Sequence, residues 1–169
     1  LLGLNTDKFY QSYTDDPVLK ARMDFLDQCV EDKNDLLSVG VFSMIEGAIL
    51  YSSFAFLMHF QAEGKNKLPN IHSGLTFSAK DEHLHSVAGS WAFKTLLEEK
   101  RELGYSEGEY NYLVIKLREA AIKIYEHEKA IIEKVFSHGS IKGITAHQME
   151  CFVESRIDLC LENLGLGKM

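Results

Sequence analysis

At 169 residues, 46% hydrophobic and 25% charged, the chain is long enough to bury a core without disulfide staples, and its composition excludes a disordered or fibrous class. A net charge of −7 with no clustered Lys/Arg stripe excludes nucleic acid as the main partner. Cys29, Cys151 and Cys160 are odd in number, far apart and lack Cys-x-x-Cys spacing, so they read as reduced thiols of a cytoplasmic protein rather than a disulfide framework or a zinc site.

In chain order, the opening LLGLNTDKF has no initiator Met and no signal-sequence pattern, which suggests a start inside a longer protein. Thr14-Asp15-Asp16-Pro17 reads as a helix entry, and Leu19, Met23, Phe25, Leu26 and Val30 carry an apolar stripe to about Glu31. A second helix is expected over about Leu36 to Glu63. The polar turn Gly64 to Asn70 follows it, then a third helix from about His72 or Leu75 to Lys100. Ser106-x-x-Glu109 has the form of a capping box and opens a fourth helix that runs to Phe136, with Leu113, Leu117, Ala121, Ile124, Ile131 and Val135 on one face. His138 to Gly143 is a turn, and Thr145 to Asn163 forms a fifth helix ended by Gly165-Leu166-Gly167. No repeat, low-complexity tract or linker divides the chain, so residues 1–169 read as one all-α domain.

The second segment holds the chemistry. From Leu36 to Ala62 the only formal charge is Glu46. The run is long enough to span a bilayer, but a central carboxylate, several serines and the absence of flanking Lys/Arg clusters argue against a membrane. An ionised carboxylate in apolar surroundings needs a cation or a metal. The next helix offers Glu82-x-x-His85, the i, i+3 spacing of inward-facing ligands in di-metal carboxylate bundles. Counted from a turn near Lys67, Glu46 lies roughly twenty residues back and Glu82 about fifteen forward, so at about 1.5 Å per residue they stand nearly level. His85 is one turn beyond Glu82, and Asp81 stands where it could orient a ligand histidine from behind. Oxygen-rich donors with few imidazoles suit iron or manganese better than structural zinc. Glu128, on the Ile124/Ile131/Val135 stripe, reads as a glutamate with a buried stem at the edge of a helix face, and His147-x-x-Glu150 as surface.

Taken together, Phe42-Ser43-Met44-Ile45-Glu46-Gly47, Ser52-Ser53-Phe54-Ala55, the run Gly74 to His85 with its Asp-Glu-x-Leu-His motif, and later Glu128-Lys129, Gly139-Ser140-Ile141 and Leu164-Gly165-Leu166 resemble the small, radical-generating beta subunit of class I ribonucleotide reductase. The resemblance covers nearly the whole chain and corresponds to the C-terminal half of the family's core. It implies a partial ferritin-like bundle of about five helices. It further implies that Glu46, Glu82 and His85 are the second-half ligands of a dinuclear iron or manganese centre, and that Asp81 hydrogen-bonds a histidine ligand of the other half and belongs to the radical-transfer path. Leu50 and Phe54 then match positions of the apolar pocket around the radical, although Leu50, Phe54, Phe56 and Phe77 read equally well as helix-core residues.

Such a subunit works with the large subunit that reduces ribonucleotides to deoxyribonucleotides, and as a homodimer. The family's other ligands, an Asp and a second Glu-x-x-His with the radical tyrosine, match nothing in this sequence, and none of its seven tyrosines carries over as the radical site. A companion segment or chain is therefore expected to supply them. Two other readings remain at this point. A homodimeric ferritin-like metal-binding or metal-oxidising protein could complete the site by symmetry, and a helical scaffold would bind no metal.

Overall fold

The fold is built from helices whose ends are written locally and whose faces are paired over long range. A computed structural model of the chain describes residues 6–30, 33–64 and 67–169. It contains α1 (Asp7–Gln11), a 3-10 turn, α2 (Pro17–Val30), α3 (Asp35–Ala48), α4 (Tyr51–Met58), a second 3-10 segment (His59–Gly64), α5 (Pro69–Glu102), α6 (Glu107–Phe136) and α7 (Ala146–Leu164). Among the described residues there is no strand, only an isolated bridge between Ile141 and Ile144. The expected end of the first helix at Glu31, and part of the turn after Gly64, lie outside the described residues.

Several ends follow directly from their side chains. Asp16 accepts the Val18 and Leu19 amides ahead of α2, and Pro69 opens α5, where its missing N–H costs nothing. Ser106 and Glu109 form a full capping box on α6, as do Thr145 and Gln148 on α7. Gly165 closes α7 with φ 81°, a conformation that a Cβ would strain.

The core lies where α3, α5, α6 and α7 meet, around Leu36, Met44, Phe93, Leu117, Ile124, Ile132, Val153, Ile157 and Leu161. Each such side chain contributes about 1.5–3 kcal/mol by leaving water. α3 and α5 approach closely along a seam of small residues. Ser43 Oγ donates to the Ser86 carbonyl at 2.8 Å and Ser86 Oγ donates to the Ser43 carbonyl at 2.8 Å. Ser90 Oγ reaches the Ser86 carbonyl at 2.9 Å and Ser43 Oγ at 2.6 Å. A Cβ on Gly89 would lie 3.2 Å from the Ser43 backbone, and one on Gly47 only 2.5 Å from Ser86 Oγ.

Three sequence expectations need correction. The second helix is not continuous to Glu63, because it breaks at Ile49 and Leu50, where Leu50 adopts φ 74°. Nor is Glu128 a glutamate at the edge of a helix face. It is 0% exposed, pairs with the buried Arg22 of α2, and accepts the amides of Leu50 at 3.3 Å and Ser52 at 3.0 Å. That carboxylate rewards the two amides for leaving the helical ladder, and this is the physical reason for the break. Finally, Leu50 and Phe77 are not core residues, being 42% and 72% exposed. Phe77 belongs to an outward row with Leu84 and Trp91 on α5. The run 35–62 is long and apolar enough to cross a membrane, yet half of its most apolar stretch is buried within this fold.

Candidate metal centre

Glu46 stands in the last turn of α3, and Glu82 and His85 stand one turn apart on α5, directly across the serine seam. Their alignment comes from that seam: Ser43 precedes Glu46 by one turn, and Ser86 follows His85. His85 Nδ1 lies 3.1 Å from Glu46 Oε2 and 3.2 Å from Glu82 Oε2. One donor atom from each of the three residues falls within 4.8 Å of the others. Glu46 and Glu82 are partly buried, whereas His85 is exposed.

The electrostatics follow from two carboxylates sharing one small space. Burial, and then Glu82, hold the Glu46 carboxyl above the usual carboxylate range, while His85 pulls it down. Hydrogen bonds to Glu46 and then Glu82 raise the His85 imidazole above its ordinary value. Two carboxylates and one imidazole, with the ring nitrogen 3.1 and 3.2 Å from the two carboxylate oxygens, fit a divalent cation held by bonds of about 2.1 Å. One Glu from one helix and one Glu-x-x-His from another is half of the donor set that di-metal carboxylate bundles use.

The remaining predicted positions surround this group differently. Asp81 is 68% exposed in its side chain, with Oδ1 3.9 Å from His85 Nε2, outside direct hydrogen-bonding range. Phe54 is buried, with its ring 5.5 Å from that of Tyr51. Leu50 sits at the helix break with its side chain turned partly outward. Glu128 and the His147/Glu150 pair are no part of the cluster.

Sequence reasoning passed over Tyr51 and Arg156. The Tyr51 hydroxyl donates to the Ala79 carbonyl at 3.0 Å, and its ring carries the Arg156 guanidinium at 4.1 Å. Burial pushes the Tyr51 phenol up. Arg156 Nε also donates to the Gly47 carbonyl at 2.9 Å, satisfying a carbonyl at the end of α3. Arg156 comes from α7, more than a hundred residues away, so no local pattern could have flagged it.

The family model for the ribonucleotide reductase small chain matches residues 2–169. The chain belongs to that family. Its all-α fold is accordingly the ferritin-like helical fold of ribonucleotide reductase small chains, a family that generally has a dinuclear metal site. The chain is 28% identical over 130 residues to a probable ribonucleoside-diphosphate reductase small subunit of Invertebrate iridescent virus 3, an alignment covering 76% of this chain and 33% of that protein. The chain thus spans about a third of the length of that curated relative.

Proposed function

We propose that this chain houses half of the dinuclear iron or manganese centre of a class I ribonucleotide reductase small subunit, whose radical the large subunit uses to reduce ribonucleotides to deoxyribonucleotides. The observation that carries this reading is the convergence of Glu46, Glu82 and His85 across two helices. Family membership favours it over a symmetric metal-storage dimer or a metal-free scaffold.

When bound, the centre supplies with an oxidant the one-electron oxidising equivalent from which a radical is made, and that redox chemistry belongs to the metals. The chain's own residues bind and orient. Glu46 and Glu82 would hold the metal as ionised oxygen donors, and His85 would hold it through a neutral ring nitrogen. Any proton on the His85 nitrogen that binds must leave before the metal can take its place. Asp81 serves from behind the ligands, towards a histidine of the other half and the radical-transfer path. The buried rings of Phe54 and Tyr51 would help keep water from the oxidising centre, whereas Leu50 is too exposed to do so here.

Three donors cannot saturate two metals, so a companion segment or chain supplies the other ligands and the radical tyrosine. The assembled subunit is a cytoplasmic homodimer. Replacing Glu82→Ala should abolish dinuclear loading in the reconstituted subunit, measured as metal bound per centre. Full loading of that variant refutes the assignment.

A further inference from the structure

The helix that carries Glu46 ends for a reason written elsewhere in the chain. α3 stops at Ala48, Ile49 is extended with ψ 141°, and Leu50 takes φ 74°. A leucine in the left-handed region is strained and persists only where neighbouring contacts over-determine it. Here those contacts come from Glu128 of α6. Its carboxylate accepts the Leu50 and Ser52 amides on one side and meets the Arg22 guanidinium on the other. Ser52 is the second residue of α4, and Leu50 offers no side-chain cap. Glu128 therefore occupies the place of a missing N-cap, against the positive end of α4.

The same break gives α3 a C-terminal end beside the candidate ligands. Glu46 lies two residues before that end, in the last turn, where carbonyls have lost their amide partners, only that of Gly47 being taken by Arg156, and the helix dipole is negative. Were 35–58 one continuous helix, its negative end would lie near Met58, three turns further on. We propose that Glu128 is a positioning residue for the cation site: by holding the break open it keeps the negative end of α3 beside Glu46, Glu82 and His85, and so raises their affinity for divalent cations. Glu128 touches none of the three and acts through the backbone of Leu50 and Ser52. The inference rests on the metal-centre reading above.

Coupling between two sites is reciprocal, so a cation bound at Glu46, Glu82 and His85 must in turn stabilise the break. The test titrates Mn2+ into the whole small subunit, as the parent, as Glu128→Gln and as Ile131→Val, and follows amide exchange at Leu50 and Ser52 with and without Mn2+. Glu128→Gln keeps the side-chain length and one acceptor oxygen, and should weaken Mn2+ binding by about tenfold, the scale of a helix-end charge effect. Ile131→Val trims a buried neighbour one turn along the same helix, leaves the Glu128 carboxylate in place and should bind as the parent does. In the parent, which needs no variant to fold, Mn2+ should slow exchange at both amides by a comparable factor. Binding within twofold of the parent in a folded Glu128→Gln protein, equal weakening in Ile131→Val, or exchange indifferent to Mn2+ overturns the inference while leaving the metal centre intact. A parent that takes up no Mn2+ overturns the metal-centre reading, and this inference with it.

Discussion

One methyl group added at Gly47 should report on the whole arrangement. A Cβ there would stand 2.3 Å from Cys160 Sγ, 2.5 Å from Ser86 Oγ and 3.2 Å from Ser86 Cβ. Neither neighbour can retreat cheaply, since Cys160 is buried and the Ser86 hydroxyl is committed to the Ser43 carbonyl. α3 must then move away from both α5 and α7, an overpacking strain of about 3 kcal/mol. Alanine's better helix propensity returns about 1 kcal/mol, which leaves a net loss of about 2 kcal/mol. Urea unfolding followed by circular dichroism should show the midpoint falling by about 1 M, for a slope of about 2 kcal/mol per molar. Combining Gly47→Ala with Cys160→Ala removes the worst contact, and the double-mutant cycle should show a favourable coupling of about 1 kcal/mol or more. A Gly47→Ala protein as stable as the parent, or a cycle without coupling, would refute the close approach of the three helices.

Gly74 makes the opposite case: it lies inside α5 and an added Cβ meets nothing within 4 Å, so Gly74→Ala should raise stability by about 0.5–1 kcal/mol, and a loss would count against the helix there. In the cation-free protein the raised His85 contributes stability that is complete below its ordinary value of 6.5 and is lost as the pH rises through the raised one. The difference in melting temperature between parent and His85→Ala should accordingly shrink from pH 6 to pH 8, and a constant difference would be the wrong sign of evidence. Glu46, held up by burial first, pulls in the same direction. Because metal takes the neutral imidazole, whose hold on a proton the two carboxylates strengthen, the protons released on Mn2+ uptake should fall in number as the pH rises, detectable by calorimetry in buffers of different ionisation enthalpy. Among the cysteines, burial pushes the Cys160 thiol up and Cys151 is exposed, so a thiol reagent should modify Cys160 at least about a hundredfold more slowly until the protein unfolds.

What the sequence made legible was whatever its own neighbours decide. Pro17, the Ser106/Glu109 box, Thr145 and Gly165 mark helix ends because caps are local, and those helices stand where expected. The meeting of Glu46 with Glu82 and His85 was also legible, since a lone carboxylate in an apolar helix and hairpin arithmetic need only helix rise. The break at Leu50 was not. Nothing in Ala48-Ile49-Leu50-Tyr51 resembles a stop, and the groups that hold it come from Glu128 and, 106 residues from that glutamate, Arg22. A charge on an apolar stripe looks the same in sequence whether its head reaches water or a buried partner. The outward position of Phe77 escaped for a related reason: an aromatic at helical spacing is core only if another element lies on that face.

The reciprocal hydroxyl bonds between Ser43 and Ser86 carry a consequence for how the ligands are presented. A helix pair joined only by aliphatic contacts could slide at little cost, but here a shift by one turn, about 5.4 Å, would strand buried hydroxyls and carbonyls on both sides. It would also carry Glu46 past His85. The hairpin is keyed, so it offers its acids and imidazole already levelled, and a captured ion need not spend binding energy on drawing the helices into step.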